Sequence, residues 1–244
     1  MSFINIQKLK VGNYITVKVT DNFVENGKNL ILAYQEAENL NPGGSAKSST
    51  NRASVIIPPG NYNLGSLFFS IHANYVDVVA LESGQKEPSV LISGTVGVTV
   101  SASDCKIIGI KSDIFEIGVS NSNQYFENCE GGLSAFGGDG ATASGTFINC
   151  VGGNNSFGGD GGIASGNFIN CIGGILSFGG AGFATGYFKD CEGGNNSFGK
   201  NGTASGKFIN CKAPSFQLLT APASGKALYI NCIDANDNII QGEA

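Results

Sequence analysis

The sequence predicts an all-β chain wound as a parallel β-helix, a solenoid of ~20–21-residue coils, with one capping α-helix at its N-terminal end. Three observations predict it. All seven cysteines (Cys105, Cys129, Cys150, Cys171, Cys191, Cys211 and Cys232) follow an Asn or Asp, and the last six recur at a near-constant interval. They sit inside a recurring string, seen as GTFINCVGGNNSFGGDG, GNFINCIGGILSFGGAG, GYFKDCEGGNNSFGKNG and GKFINCKAPSF. Within that string no stretch carries apolar residues at helical spacing, and short aromatic and β-branched runs alternate with Gly, Asn and Ser. A period this short is too small for a helical-hairpin repeat and leaves room for about three short strands per coil.

Along the chain, residues 1–22, with KVGNYITVKVT, read as one or two strands outside the regular stack, in a position suited to attachment. The span 23–53 holds the cap and its loop. Within it GKNLILAYQEAENLN, residues 27–41, places Leu30, Ile31, Ala33, Tyr34, Ala37 and Leu40 on one apolar face. A solenoid exposes the core and strand edges of its first coil, and a helix laid there covers both. Coils then run from residue 54 to 244, regular from about 104, with Asn74-Tyr75 aligned against Asp104-Cys105.

Aligned coils give columns, and in a parallel stack like residues repeat at about 4.8 Å. One aromatic column is Phe126, Phe147, Phe168, Phe188, Phe208 and Tyr229; a second is Phe136, Phe157, Phe178, Phe198 and Phe216. An alanine column, Ala143, Ala164, Ala184, Ala204 and Ala223, is followed each time by Ser or Thr: Ser144, Ser165, Thr185, Ser205 and Ser224. The corner column reads Asp104, Asn128, Asn149, Asn170, Asp190, Asn210 and Asn231, residue types that accept left-handed backbone angles and suit a sharp bend. The small variation in length between coils falls in the Gly-rich loop carrying Asp139, Asp160 and Asn201.

Composition excludes several classes. With a net charge of −5 and no basic stripe, the chain has nothing to neutralise phosphates, so nucleic acid is not an expected partner. No run approaches the ~18 apolar residues of a membrane span, and MSFINIQKLK lacks the apolar core of a secretory signal. Cysteines in a ladder stand about 4.8 Å apart, beyond the roughly 3.5–4.5 Å Cβ separation of a disulfide, so they read as small buried hydrophobes. The lone His72 has no metal-ligand spacing, and no cofactor is expected. GGSAKSS at 43–49 puts Ala46 where a phosphate loop needs Gly, and the GGDG strings lack the nonapeptide period of calcium-binding repeats.

The helix, the polar loop and VIIPPGNYNLG resemble the start of the pectate-lyase-like superfamily of right-handed β-helices, which includes phage tail spikes. The FINC and SFGG.G.ASG strings resemble β-helical proteins of phage and prophage structural modules, and the likeness covers nearly the whole chain. It implies a right-handed helix and a virion protein made in the host cytoplasm, or otherwise an extracellular one. It further implies a homotrimer, other tail proteins as partners, and a surface glycan as ligand. The expected function is a non-enzymatic structural or receptor-binding protein.

The alternative the superfamily raises is a polysaccharide depolymerase. Asp139 and Asp160, at equivalent places in consecutive coils, are then the candidate acid pair, since rungs about 4.8 Å apart approach the ~5–5.5 Å carboxyl separation of a retaining glycosidase. Against this, Asp-Gly simply makes a turn, and the next coils carry Ala181 and Asn201 instead. The superfamily's Gly-His-Gly has no counterpart. The only arginine, Arg52, is expected to lie in the N-terminal loop, far from any acid-rich coil. The Ser/Thr file leaves ice binding or filament formation as a third reading.

Overall fold

The computed structural model describes residues 12–82, 88–117, 122–199, 202–214, 227–234 and 236–243. The chain winds as a parallel β-solenoid whose strands stack in chain order. One eleven-stranded sheet runs the length of the stack, from Tyr14–Thr16 and Ala53–Ile57 to Leu228–Ile233 and Ile239–Glu243. Every neighbouring pair in it is parallel except the last. A second face is a four-stranded sheet ending at Glu130–Gly131, then continued as single bridges from Val151 through Ile172, Glu192 and Lys212 to Ile233. Early coils close with strands Phe68–Ile71, Gly97–Val100 and Phe115–Ile117. Later coils close with the two-residue strands Thr142–Ala143, Ile163–Ala164, Phe183–Ala184 and Thr203–Ala204.

The segment expected outside the stack is partly inside it: Tyr14, Ile15 and Thr16 pair in parallel with Ser54, Val55 and Ile56 as the first rung of the long sheet. Residues 1–11 lie outside the described residues, as do Asn201, Phe216, Ala223 and Ser224. The helix spans Phe23–Glu38, starting one turn before the apolar pattern suggests. Its start is set by Asn22, whose side chain accepts from the backbone N–H groups of Val24 and Glu25 at 3.0 and 3.1 Å, relieving two otherwise orphaned donors. Leu30, Ala33, Tyr34 and Ala37 face the core. Gly27 lets the helix approach closely, since a Cβ there would lie 2.3 Å from the Asn63 carbonyl oxygen.

In the long sheet, inner and outer residues alternate with the period of two that a strand imposes, and the phenylalanine of each T/N/Y/K-F-I/K triplet points inward. Phe147, Phe168, Phe188 and Phe208 stack with ring centroids 5.1, 4.9 and 4.8 Å apart and planes within 5° of parallel. The second aromatic file stacks likewise, Phe157 on Phe178 on Phe198, at 4.8 Å. The two files meet edge to face, as in Phe168–Phe178 at 5.6 Å and 84°. Ring edges therefore point at ring faces across the core, the arrangement the aromatic quadrupole favours. Each fully buried ring contributes roughly 2–3 kcal/mol of apolar burial.

The second file does not lie on strands. Phe136, Phe157, Phe178 and Phe198 all have left-handed backbones, with φ between 52° and 56°. Such a conformation costs a bulky residue about 1–2 kcal/mol, less than the burial of its ring returns. Each later coil is thereby closed with two short strands and one bridge in place of three full strands.

The corner column is built as its residue types imply: Asn128, Asn149, Asn170, Asp190, Asn210 and Asn231 have φ between 51° and 54°. Asp104 and Cys105 do not belong to their columns. Cys105 precedes its strand, Lys106–Ile108, whereas Cys129 follows its strand, Tyr125–Glu127. The register Tyr125↔Lys106 and Glu127↔Ile108 puts Cys105 beside Gln124 and sets Gly109, at φ 75°, under Asn128. Ile110 therefore stands where later coils carry cysteine. The interval from Cys105 to Cys129, longer than any that follows it, is the trace of this in the sequence. One coil earlier, the Tyr75 N–H donates to the Asp104 carbonyl at 2.8 Å, so Val76, not Tyr75, fills the slot of Cys105.

Candidate functional site

The corner between the long sheet and the second face carries the outermost polar groups of the repeat. Because each corner residue is held left-handed at the same place in its coil, its side chain meets the next one up the stack. The Asn149 amide donates to Asn128 Oδ1, that of Asn170 to Asn149 Oδ1 and that of Asn210 to Asp190 Oδ1, each at 2.9 Å. Beside the first rungs of this ladder lies a groove of about 330 Å³ lined by Pro88, Lys111, Asn128, Glu130, Asn149 and Val151. Lys111 and Glu130, on neighbouring rungs, form an ion pair across it. Amide oxygens and nitrogens, a carboxylate and an ammonium together offer the paired donors and acceptors that a hydroxyl-rich ligand requires.

Asp139 and Asp160 are brought onto adjacent coils, both exposed, in a structural relation. Asp139 Oδ1 accepts the backbone N–H of Asp160 at 3.1 Å, and Oδ2 accepts from the Asn155 amide at 3.2 Å. The Gly140 N–H in turn donates to the Asp160 carbonyl at 2.9 Å. Both oxygens of Asp139 thus brace the next turn, whereas a general acid holds a proton toward a substrate.

Arg52 corrects the sequence expectation most sharply. It lies against two acids from the next two coils: Nε and Nη2 donate to Asp77 at 2.8 and 2.6 Å, and Nη1 donates to Asp104 at 2.7 Å. The register stacks Arg52, Tyr75 and Asp104 on successive rungs, with the guanidinium carbon 5.5 Å from the centre of the Tyr75 ring. Chain distance hid this contact, because one coil takes up a long stretch of chain while rising a single strand spacing. Hydrogen bonding to Asp77 is the main cause holding the Arg52 guanidinium well above its ordinary range, against the opposing effect of burial. A lyase-type arginine base must give up its proton, and this environment does the reverse.

His72 is more than half exposed. Its Nε2 lies 2.8 Å from Glu38 Oε1, its Nδ1 3.2 Å from the Ser70 carbonyl, and its backbone N–H donates to the Tyr34 hydroxyl. It fastens the helix to the third face. The cysteines are all free and buried. Burial, with Asp77 adding, pushes Cys105 up to about 12, and burial also drives Cys150 and Cys191 well above the ordinary thiol value. Cys105, Cys150 and Cys191, so held, are poor nucleophiles and poor metal ligands. Among the described residues no group of three or more His, Cys, Asp or Glu side chains is placed to hold a metal ion, and no helix is long and apolar enough to cross a membrane.

The Ser/Thr file, Ser144, Ser165, Thr185 and Ser205, faces outward next to the alanine column. Its neighbouring outward file is mixed, with Ile163 and Phe183 exposed between Thr142 and Thr203. Sequence reading missed the Arg52 triad and the corner groove. The groove's signal was present in Lys111 and Glu130, whose separation along the chain is close to one coil.

No protein-family model, curated protein or solved structure matches the chain. A parallel solenoid with one N-terminal helix is the architecture that the pectate-lyase-like resemblance implies, and the agreement concerns architecture alone.

Proposed function

We propose that this chain is a non-enzymatic rod of the virion- or tail-associated kind, holding a hydroxyl-rich surface ligand, such as a bacterial glycan, against its corner groove. The observation that carries the reading is the commitment of Asp139, whose two carboxylate oxygens both brace the coil above. Arg52 is likewise spent on coil-to-coil bonding. Adhesion needs only what the groove supplies: a rigid row of amides beside an ion pair, repeated at the strand spacing and ordered before the ligand arrives.

The test is a panel of purified bacterial exopolysaccharides incubated with the full chain, read for binding and for chain length. Retention of at least one polysaccharide with unchanged length, lost in Lys111→Ala/Glu130→Ala, is the expected result. Shortening of any member would overturn the reading and make Asp139→Asn the next variant. Retention that ignores the groove substitutions would overturn the groove assignment.

A further inference from the structure

We propose that the outer face of the long sheet is a self-recognition surface that pairs two copies of this chain face to face, with their solenoid axes antiparallel. The outermost file of this sheet, one residue before the corner, is built of half-buried β-branched residues interrupted at two rungs by Glu127 and Lys189. The first two rungs carry Thr16 and Ile56 in this file, and beyond them the register gives the order Val79, Ile108, Glu127, Ile148, Ile169, Lys189, Ile209, Ile230.

That order is a palindrome in chemistry. A two-fold axis along the strands, passing between the rungs of Ile148 and Ile169, reverses the coil order while leaving each file opposite itself. Ile148 then meets the partner's Ile169, Glu127 meets the partner's Lys189, Ile108 meets the partner's Ile209 and Val79 meets the partner's Ile230. In an isologous contact each pairing occurs twice, so both charged interruptions are matched. Within one copy Glu127 accepts from the Tyr125 hydroxyl at 2.9 Å, and the Lys189 ammonium has no ion-pair partner among the described residues. The second outward file obeys the same operation, with Tyr125 opposite Tyr187 and Thr146 opposite Asn167. Two pairs are mismatched: Asp77, which Arg52 covers within its own copy, stands opposite Leu228, and Lys106 stands opposite Lys207, a repulsion that keeps the contact weak.

Other arrangements fail the same charge test. Applied to the second face, the operation sets Glu130 against Glu192 and Lys111 against Lys212. A parallel assembly, such as the trimer the tail-spike resemblance implies, brings equal rungs together, so Glu127 approaches Glu127 and Lys189 approaches Lys189. The size of the contact sets its strength. The eight paired strands from Val76–Ala80 to Leu228–Ile233 span about 34 Å at ~4.8 Å per step, and two files cover a strip roughly 14 Å wide. About 500 Å² per copy lies at the lower end of specific interfaces, so the dimer is a concentration-dependent one.

Sedimentation velocity of the full chain from the low micromolar range to about 500 μM reads the assembly directly. We expect a monomer–dimer equilibrium that weakens at least roughly tenfold in Glu127→Lys or Lys189→Glu and returns in the double exchange Glu127→Lys/Lys189→Glu. Both positions are outward-facing, and melting temperatures of the variants show that they fold. A wild-type chain that stays monomeric throughout, a trimer, or a double exchange that does not restore association would each overturn the proposal. Glycan retention is measured separately, so loss of pairing leaves the adhesion reading standing, and the converse holds.

Discussion

Asn170 and Asp190 stand on consecutive rungs of the corner ladder with acceptor toward acceptor. Three amides of the ladder donate to the oxygen of the rung before them: Asn149 to Asn128, Asn170 to Asn149, Asn210 to Asp190. The Asp190 side chain has no N–H to send to Asn170, so the chain of side-chain hydrogen bonds breaks at this step. Asp190→Asn should close it, adding about 1 kcal/mol and raising the melting temperature by roughly 3 °C. Asn149→Asp, which removes an existing donor, should lower it by a similar amount. A melting temperature unmoved by Asp190→Asn would show that exposed rungs of the ladder carry no stability.

The Arg52 triad is a buried charge network, with side chains of Arg52 and Asp77 only 14% and 9% exposed. Removing the cation leaves two carboxylates without their partner in a poorly solvated place. Arg52→Met, which keeps the side-chain volume, should cost about 3 kcal/mol, read as a lower urea midpoint at unchanged slope. Arg52→Lys should recover only part of the loss, because an ammonium cannot bind Asp77 through two parallel bonds. Wild-type stability in the Met variant would remove the triad from the list of forces joining the first three coils.

Stability should fall on the alkaline side. The Cys191 thiol is the largest influence raising Cys211 to about 12, and burial is the largest raising Cys105 to about 12. The folded state therefore holds these protons at a pH where unfolded thiols, near 8.5, have released them. Folding is favoured by both groups below about pH 8.5, and that contribution is lost as pH rises toward 12. Each group adds a slope of about 1.4 kcal/mol per pH unit across this window. Thermal melts between pH 7 and 10.5 should show a steady decline beginning near pH 8.5; a flat profile would mean that the thiols are not sealed from water.

Two glycines separate close packing from backbone freedom. A Cβ on Gly182 would sit 1.9 Å from the Gly162 carbonyl oxygen, so Gly182→Ala should force neighbouring coils apart and cost several kcal/mol. Gly161 has φ +68° and nothing within 4 Å of the same atom, so Gly161→Ala should cost only the ~1 kcal/mol of a left-handed alanine. Circular dichroism melts of the two variants give the comparison. Equal losses would place the cost in the turn and not in the approach of coils.

The solenoid was legible in the sequence wherever the period was constant. Phe147, Phe168, Phe188 and Phe208 lie in one file because a near-constant length of chain returns each coil to the same place. The period broke before Cys129, and there alignment by cysteine misled: Cys105 precedes its strand, whereas Cys129, Cys150, Cys171, Cys191 and Cys211 follow theirs. Phe157 and its equivalents were legible as an aromatic file, but not the left-handed turns on which the coil places them, since aromatic residues favour strands. Arg52 was unreadable for a different reason. Its partners Asp77 and Asp104 are 25 and 52 residues away, and only the length of the first coils brings the three together. The Asp139 carboxylate was found as an acid in sequence, but its acceptor role depends on an N–H in the next coil that sequence does not display.

Strand Ile239–Glu243 pairs antiparallel with Leu228–Ile233, reversing direction after a long run of parallel rungs. A stack of parallel rungs contains no instruction to stop; its last edge is a template for the first strand of any other copy. Turning the final strand around changes the polarity of that edge, and at the opposite end the helix packs against the strands of the first coils. Both features oppose the joining of described solenoids end to end into fibrils. Within those two stops, length is counted in whole coils, and a duplication of one repeat unit would lengthen the rod by one step without disturbing either end.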